Sequence, residues 1–315
     1  MAVINQSLSE AIRFLKTGLI GIPTETVYGL AGNAYNAEIV ARIFEVKERP
    51  SFDPLIVHTH SISEIEKFTK LFPNELQALA QEFWPGPLTL LIPKNELIPD
   101  IVTSGLENVA VRIPNHPLTL ELLKSIDFPL AAPSANPFGY ISPTSAMHVN
   151  DQLGDKIPFI LDGGPSGVGL ESTIVGLVDG LITVFRLGGI SLEDIEGVCG
   201  SVRLKNNSSN PLAPGMTDAH YAPGKRLLLG SLSSLLQVHH DKNPVLICYD
   251  KMFESYPSEL QIVLAPTGDV RIAAANLFAA LRKADKLAES LILAEPVPNQ
   301  GLGRAINDRL KRAAF

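Results

Sequence analysis

Short apolar runs alternate with amphipathic stretches along most of the chain. At the start, Ser7 with Glu10 carries the signature of a capping box, and Leu8, Ile12 and Leu15 recur on one helical face. Gly18 stands where a left-handed residue closes a helix. LIGIP (19–23) then predicts a strand, and residues 37–47 predict a helix burying Ile39, Val40, Ile43 and Phe44. Further strands are expected at 54–58, 88–93, 108–114, 159–162, 172–178 and 182–187, and helices at 74–83, 118–125 and 145–153. Strands outnumber helices, which favours a mixed sheet with helical cover over a strictly alternating parallel fold. The segment RLKNNSSNPLAPG (203–215) has no periodicity and reads as a linker, or as a loop that orders on ligand. Beyond it, strand patterns at 226–230, 244–250, 261–266 and 289–296 surround a helix from about 270, and a last helix lies inside GRAINDRLKRAAF. The expected division is a larger domain at 1–202, a linker or lid at 203–225 and a small α/β domain at 226–315.

Composition narrows the function classes. At roughly 150 residues per domain, 315 residues imply about two domains. Apolar residues at 45% and charged residues at 19% exclude global disorder. With 26 Lys and Arg against 33 Asp and Glu the net charge is −7, the wrong sign for a protein that grips nucleic acid non-specifically. An anionic ligand must instead meet a local group of cations. Cys199 and Cys248 form no metal-spaced pair and no disulfide framework. The N-terminus reads as neither a secretory signal nor a membrane span, so the expected setting is cytoplasmic. There is no internal repeat, no G-x-G-x-x-G or Walker loop, no H-E-x-x-H, no C-x-x-C and no G-x-S-x-G. The seven histidines show no zinc spacing.

Chemistry concentrates in polar clusters at strand ends. PTETVYGLAG (23–32) places Thr24, Glu25, Thr26 and Tyr28 beside glycines, as an ordinary connection or as a ligand loop. Lys47 and Arg49 precede Pro50, with His58 closing the next strand. They suit a helix C-terminus, or a grip on a polyphosphate or carboxylate. Arg112 lies within a strand pattern, on a solvated face or in a pocket. LAAPSANPFGYISPTS (130–145) brings Ser134, Asn136 and Ser142 in a run of small residues and prolines that lets backbone approach a ligand closely. LDGGPSGVGLESTIV (161–175) leads through Glu171, Ser172 and Thr173 into a strand; Asp162 reads as a turn residue rather than a metal ligand. RLGG (186–189) follows a strand, and His220–Tyr221 lie between two Pro-Gly pairs at the seam, where ligands bind and lids close. Dispersed cations and hydroxyls on Gly- and Pro-shaped loops suit an anionic small molecule, handled by positioning and charge neutralisation.

Taken in order, PTETVYGLAG, K-x-R-P followed by PLIVH, FWPGPLTLL (83–91), VAVRIP, APSAN, LDGG with ESTIV, and PGM with HYAP resemble the YrdC-type threonylcarbamoyl-AMP synthase family in its long, two-domain form. The resemblance implies a twisted, mixed α/β sheet with a positively charged concave face and a smaller Rossmann-like C-terminal domain. It implies synthesis of threonylcarbamoyl-AMP from L-threonine, bicarbonate or CO₂, and ATP with Mg²⁺, the product passing to a tRNA threonylcarbamoyl transferase system. On the matching motifs, Lys47 and Arg49 hold phosphates and the reacting carboxylate. Thr24, Tyr28, His58, Arg112 and Thr173 fall at the threonine end, and Ser134, Asn136, Ser142, Ser172 and Arg186 around the nucleotide. His220 and Tyr221 match the segment that folds over the pocket. The sequence departs from many relatives at RLGG, where they carry a proline between the arginine and the glycine. Two alternatives stand beside this: a duplex-RNA-binding module, for which Lys and Arg are sparse, and a carbamoyl-adenylate transferase of hydrogenase maturation, whose zinc-finger and acylphosphatase regions are missing. The resemblance leaves room for weak RNA contact, and a monomer is the default.

Overall fold

Ser7 caps the first helix, Leu8–Leu15, by accepting the Glu10 N–H. The rest of the box is rewired, because Ser7 N–H bonds Asn5 Oδ1 at 2.9 Å and the Asn5 amide donates to the Glu10 carboxylate at 2.7 Å. Gly18 does not take the expected left-handed conformation. Lys16 and Thr17 N–H groups bond back to Ile12 and Phe14 carbonyls, satisfying the helix end without one.

The computed structural model describes residues 1–205, 213–214 and 221–314. Within them, eleven strands form one mixed sheet: β1 (Val3–Asn5), β2 (Ile20–Ile22), β3 (Gly29–Asn33), β4 (Ile56–His58), β5 (Leu88–Pro93), β6 (Asn108–Arg112), β7 (Leu130–Ala131), β8 (Phe159–Leu161), β9 (Thr173–Val178), β10 (Leu181–Arg186) and β11 (Arg203–Leu204). Their order is β1-β8-β2-β3-β7-β4-β6-β5-β9-β10-β11. Alternate side chains diverge to opposite faces, as strand geometry requires. Ile160 joins the core that includes Val40, Ile43 and Phe44, whereas Phe159 and Leu161 join Ala11, Leu15 and Leu122 on the other face. Toward β4, β6, β5, β9 and β10 that second face carries only a small cluster, Ile56, Leu91, Ala110, Ile174 and Phe185, joined by Ala213 from the crossing segment. This thinly covered side is where the polar loops gather.

The helices at Ala37–Lys47 and Asn74–Phe83 have the expected bounds. Strands β1, β3 and β7 and helices Ile62–Phe68, Leu192–Cys199 and Leu232–His239 were not expected. β3 reads GLAGN, and small residues leave no alternating pattern to detect. Its glycine is nonetheless required: a Cβ on Gly32 would lie 2.6 Å from both Ile39 Cγ2 and Leu19 Cδ2.

A second sheet of four parallel strands, β12 (Arg226–Leu229), β13 (Val245–Cys248), β14 (Gln261–Val263) and β15 (Leu291–Ala294), is ordered β12-β15-β13-β14. Helices Val270–Lys286 and Gly303–Ala313 pack with it. The units share buried surface, since Val27, Ile141 and Leu170 lie in one cluster with Leu277, Phe278 and Ile306. The architecture is thus the expected mixed α/β domain followed by a smaller α/β domain. The first residues of the expected linker, Arg203 and Leu204, extend the larger sheet as β11. Among the described residues no helix is long and apolar enough to cross a membrane.

Candidate active site

His58 and Arg112 are register partners at the ends of parallel β4 and β6. β5 runs antiparallel to β6 and parallel to β9, so β9 begins and β10 ends at that same edge. Ser172 and Arg186 therefore arrive beside His58 and Arg112. A cavity with about 580 Å³ of empty space, its mouth included, opens there.

The walls are built from backbone-satisfying side chains. Helix Ala37–Lys47 ends at Glu48 in the left-handed region (φ 55°), which turns Arg49 inward. Arg49 donates to the Asp53 and Pro54 carbonyls at 3.0 and 2.8 Å and pairs with the Asp53 carboxylate at 2.9 Å. Arg112 donates to Thr26 Oγ1 at 2.8 Å and Gly86 O at 3.2 Å, and pairs with Glu25 at 2.7 Å. Thr24 Oγ1 donates to Val27 O at 2.6 Å, holding the same loop tight. Arg186 donates to Ser172 O and Oγ at 2.9 and 3.0 Å and to Pro214 O at 3.2 Å. Gly188 permits this seam: a Cβ there would fall 2.3 Å from Glu171 O.

Thr24, Arg49, His58, Arg112, Ser134, Ser172, Arg186 and Tyr221 all line the cavity. Five other expected site residues stand behind its wall. Lys47 Nζ, buried, donates to the Ser134 and Asn136 carbonyls. Asn136 donates to the Pro137 and Tyr140 carbonyls, both at 2.8 Å, and Ser142 Oγ donates to Glu171 at 2.6 Å. Thr173 Oγ1 donates to Ile190 O at 2.7 Å. Tyr28 sends its hydroxyl away to Gly164 O at 2.7 Å and accepts Gly163 N–H at 3.1 Å. For Thr173 and Tyr28 the reason is alternation: their neighbours Ser172, Val27 and Gly29 line the cavity, and they point to the opposite side. His220 lies outside the described residues. Asp162 is a turn residue, accepting Gly164 N–H at 3.0 Å. Thr26 and Glu171, which line the cavity, were within the motifs but not singled out. Arg309, behind Glu171, was missed altogether. Its signal was present, because Ile306, Arg309, Leu310 and Ala313 fall on one helical face and a charge on a buried face needs a partner.

Three buried arginines set the potential of the cavity. Arg49 and Arg112 are each paired with a carboxylate, but among the described residues none lies within ion-pair distance of Arg186. Burial lowers the Arg186 guanidinium to about 10, which still leaves it protonated at neutral pH. His58 is pushed down to about 3 by burial and then by the Arg112 charge, so it is neutral, and its Nδ1 has no hydrogen-bond partner among the described residues. The cavity therefore offers a cation and a neutral imidazole whose Nδ1 is unpartnered among the described residues.

His58 also predicts a pH response. Its folded value lies below the ordinary 6.5, so the unfolded chain binds a proton first as pH falls, and stability present above about 6.5 is lost toward about 3. The expected slope from this group is up to about 1.4 kcal/mol per pH unit. Denaturant titrations of the protein and of His58→Asn across that window check it: the variant should show a shallower fall, and parallel curves would reject it.

Residues 13–188 match the family model of Sua5, YciO and YrdC proteins, described as telomere recombination, and residues 190–315 match that of the threonylcarbamoyl-AMP synthase C-terminal domain. The chain is 40% identical to the threonylcarbamoyl-AMP synthase of Pyrococcus abyssi, over 96% of this chain and 93% of that one. It is also 40% identical to that of Bacillus subtilis, over 94% and 89%. The crystal structure of P. abyssi Sua5 complexed with L-threonine superposes with a TM-score of 0.93 at 38% identity, covering 99% of this chain and 98% of the other. The chain belongs to the two-domain YrdC/Sua5 family of threonylcarbamoyl-AMP synthases.

Proposed function

We propose that the chain joins L-threonine, CO₂ from bicarbonate and ATP into threonylcarbamoyl-AMP with release of pyrophosphate. The observation that carries this reading is the protonated Arg186, with no carboxylate of the described residues within ion-pair distance, beside the neutral His58 in one cavity, in a chain of this family. Thr24, His58 and Arg112 form the threonine end, with Tyr28 and Thr173 shaping its walls from behind. Arg49, Ser134, Ser172 and Arg186 form the nucleotide end, braced by Lys47, Asn136 and Ser142. The threonine amine adds to CO₂ and gives up a proton, forming a carbamate. A carbamate oxygen then attacks the α-phosphorus; the new O–P bond forms as the bond to the β-phosphate oxygen breaks. Negative charge grows on the leaving pyrophosphate, where buried guanidinium groups stabilise it far better than water would.

Among the described residues no group of three or more His, Cys, Asp or Glu gathers to hold a metal. Mg²⁺ is assigned to the substrate, entering as MgATP. Carbamates lose CO₂ readily in water, so Tyr221, buried at the cavity wall, is assigned to excluding solvent, together with His220 of the same motif. Residues 1–202 carry most of the chemistry, with Tyr221 at the cavity wall, and 226–315 brace it. The product passes to a tRNA threonylcarbamoyl transferase system in the cytoplasm.

Pyrophosphate release from MgATP, with threonine and bicarbonate omitted in turn, tests the reaction. Release should require all three, and mass spectrometry should detect the AMP-linked product. Folded protein that releases pyrophosphate without threonine, or not at all, would overturn the assignment.

A further inference from the structure

A cavity assigned to a polyphosphate has a carboxylate in its wall. Glu171 lines it with its side chain 8% exposed, and left to itself this charge would repel the nucleotide. Both its oxygens are taken. One accepts the Ser142 hydroxyl at 2.6 Å, and the other accepts Arg309 Nε at 2.9 Å. Arg309 comes from the C-terminal helix Gly303–Ala313 and is fully buried. The rest of its guanidinium is also engaged: Nη1 donates to Asp308 at 2.7 Å, Nη2 to Leu187 O at 2.8 Å, and the group lies 5.0 Å from the Tyr221 ring centre. It thus reaches three pieces of the rim, including the residue next to Arg186. Burial would raise the Glu171 carboxyl, but Arg309, then Arg186 and the Ser142 hydroxyl, outweigh it and hold it below the usual carboxylate range.

We propose that Arg309 is a positioning residue through which the C-terminal domain controls nucleotide affinity, drawing the Glu171 carboxylate to the seam and cancelling its charge so that Arg186 faces the polyphosphate unopposed. This rests on the reading of the cavity as the MgATP site. It gives the second domain an electrostatic role in the site, beyond carrying the crossing segment. The coupling is specific: the arginine matters because the glutamate is there.

A double-mutant cycle tests it, with MgATP and L-threonine affinities measured by titration calorimetry on full-length protein. Arg309→Leu should weaken MgATP binding by about 10-fold or more, as expected for an uncompensated charge near the ligand, with threonine affinity within about 2-fold. In a Glu171→Gln background the same replacement should cost about 2-fold or less, because no charge remains at 171 to cancel and Asp308 keeps its pairing with Arg312. A general loss of fold would lower both affinities and would not be relieved by Glu171→Gln. Should Arg309→Leu alone fail to fold, Arg309→Lys, which keeps the charge but loses the fork, replaces it in the same cycle, with a smaller penalty that must again vanish with Gln at 171. Unchanged MgATP affinity in Arg309→Leu, or an equal penalty in both backgrounds, overturns the proposal. If the unsubstituted protein does not bind MgATP at all, it is the assignment of the cavity that fails.

Discussion

Replacing Arg186 with methionine is expected to lower kcat/KM for MgATP by at least about 100-fold while the protein remains folded, in line with the 2–5 kcal/mol that loss of a buried charge partner costs. Two features separate the effects on ligand and fold. Arg186 is buried with other cations nearby, Arg309 and Arg312, whose charges oppose its own. Removing it relieves that repulsion and its desolvation, which offsets the Ser172 and Pro214 carbonyls left without this donor. The ligand, by contrast, loses a buried cation that is not directly paired with any carboxylate of the described residues. Steady-state kinetics with MgATP varied at saturating threonine, alongside a thermal melt, separates the two. Near-normal kcat/KM in a folded variant would remove Arg186 from the nucleotide site.

Lys47→Met should be comparably damaging, about 100-fold in activity, by a different route. Lys47 does not line the cavity; its ammonium, at the end of helix Ala37–Lys47, holds the Ser134 and Asn136 carbonyls. Burial, and then the Arg49 charge, lowers its pKa well below the ordinary 10.5, an energetic cost the loop contacts must offset. Methionine keeps the stem and discards the donors. The Asn136 carbonyl loses its donor, at about 1–3 kcal/mol, while the Ser134 carbonyl keeps the Asn136 N–H; a desolvated cation disappears as well, so the melting temperature should move by only a few degrees. The loss should therefore fall on kcat, through displacement of the Ser134 loop by a fraction of an ångström or more. Lys47→Arg should not rescue, since a planar fork does not fit a fully buried site shaped for a compact ammonium. Activity retained by Lys47→Met would show that this loop needs no such anchor.

Much of the fold was legible because its strongest elements carry their own periodicity. Residues 37–47 repeat apolar positions at helical spacing and form that helix with Asn36 as its cap. Residues 88–93, an apolar run with turn residues before it, form β5. β3 escaped because Gly29, Ala31 and Gly32 have too little side chain to alternate, while the backbone pairing that makes it a strand comes from β2 just before it and from β7 far along the chain. The motifs marked the right loops but not the orientation of each residue. Ser134 and Asn136 are two apart, yet one lines the cavity and the other ties Pro137 and Tyr140 behind it.

Local pattern alone therefore settled the class of fold, the absence of a global basic surplus and the family to which the motifs point. These are properties of neighbouring residues and of total composition. Closure of the chain decided the rest. His58 and Arg112 became neighbours only through parallel pairing of β4 with β6, and Glu171 met Arg309 across 138 residues. Whether a charge is paired, buried or left facing a ligand depends on segments that contact one another only after folding. Apart from Arg49 with Asp53, no short window of sequence contains both partners, so most of the electrostatics of the site belongs to the tertiary structure.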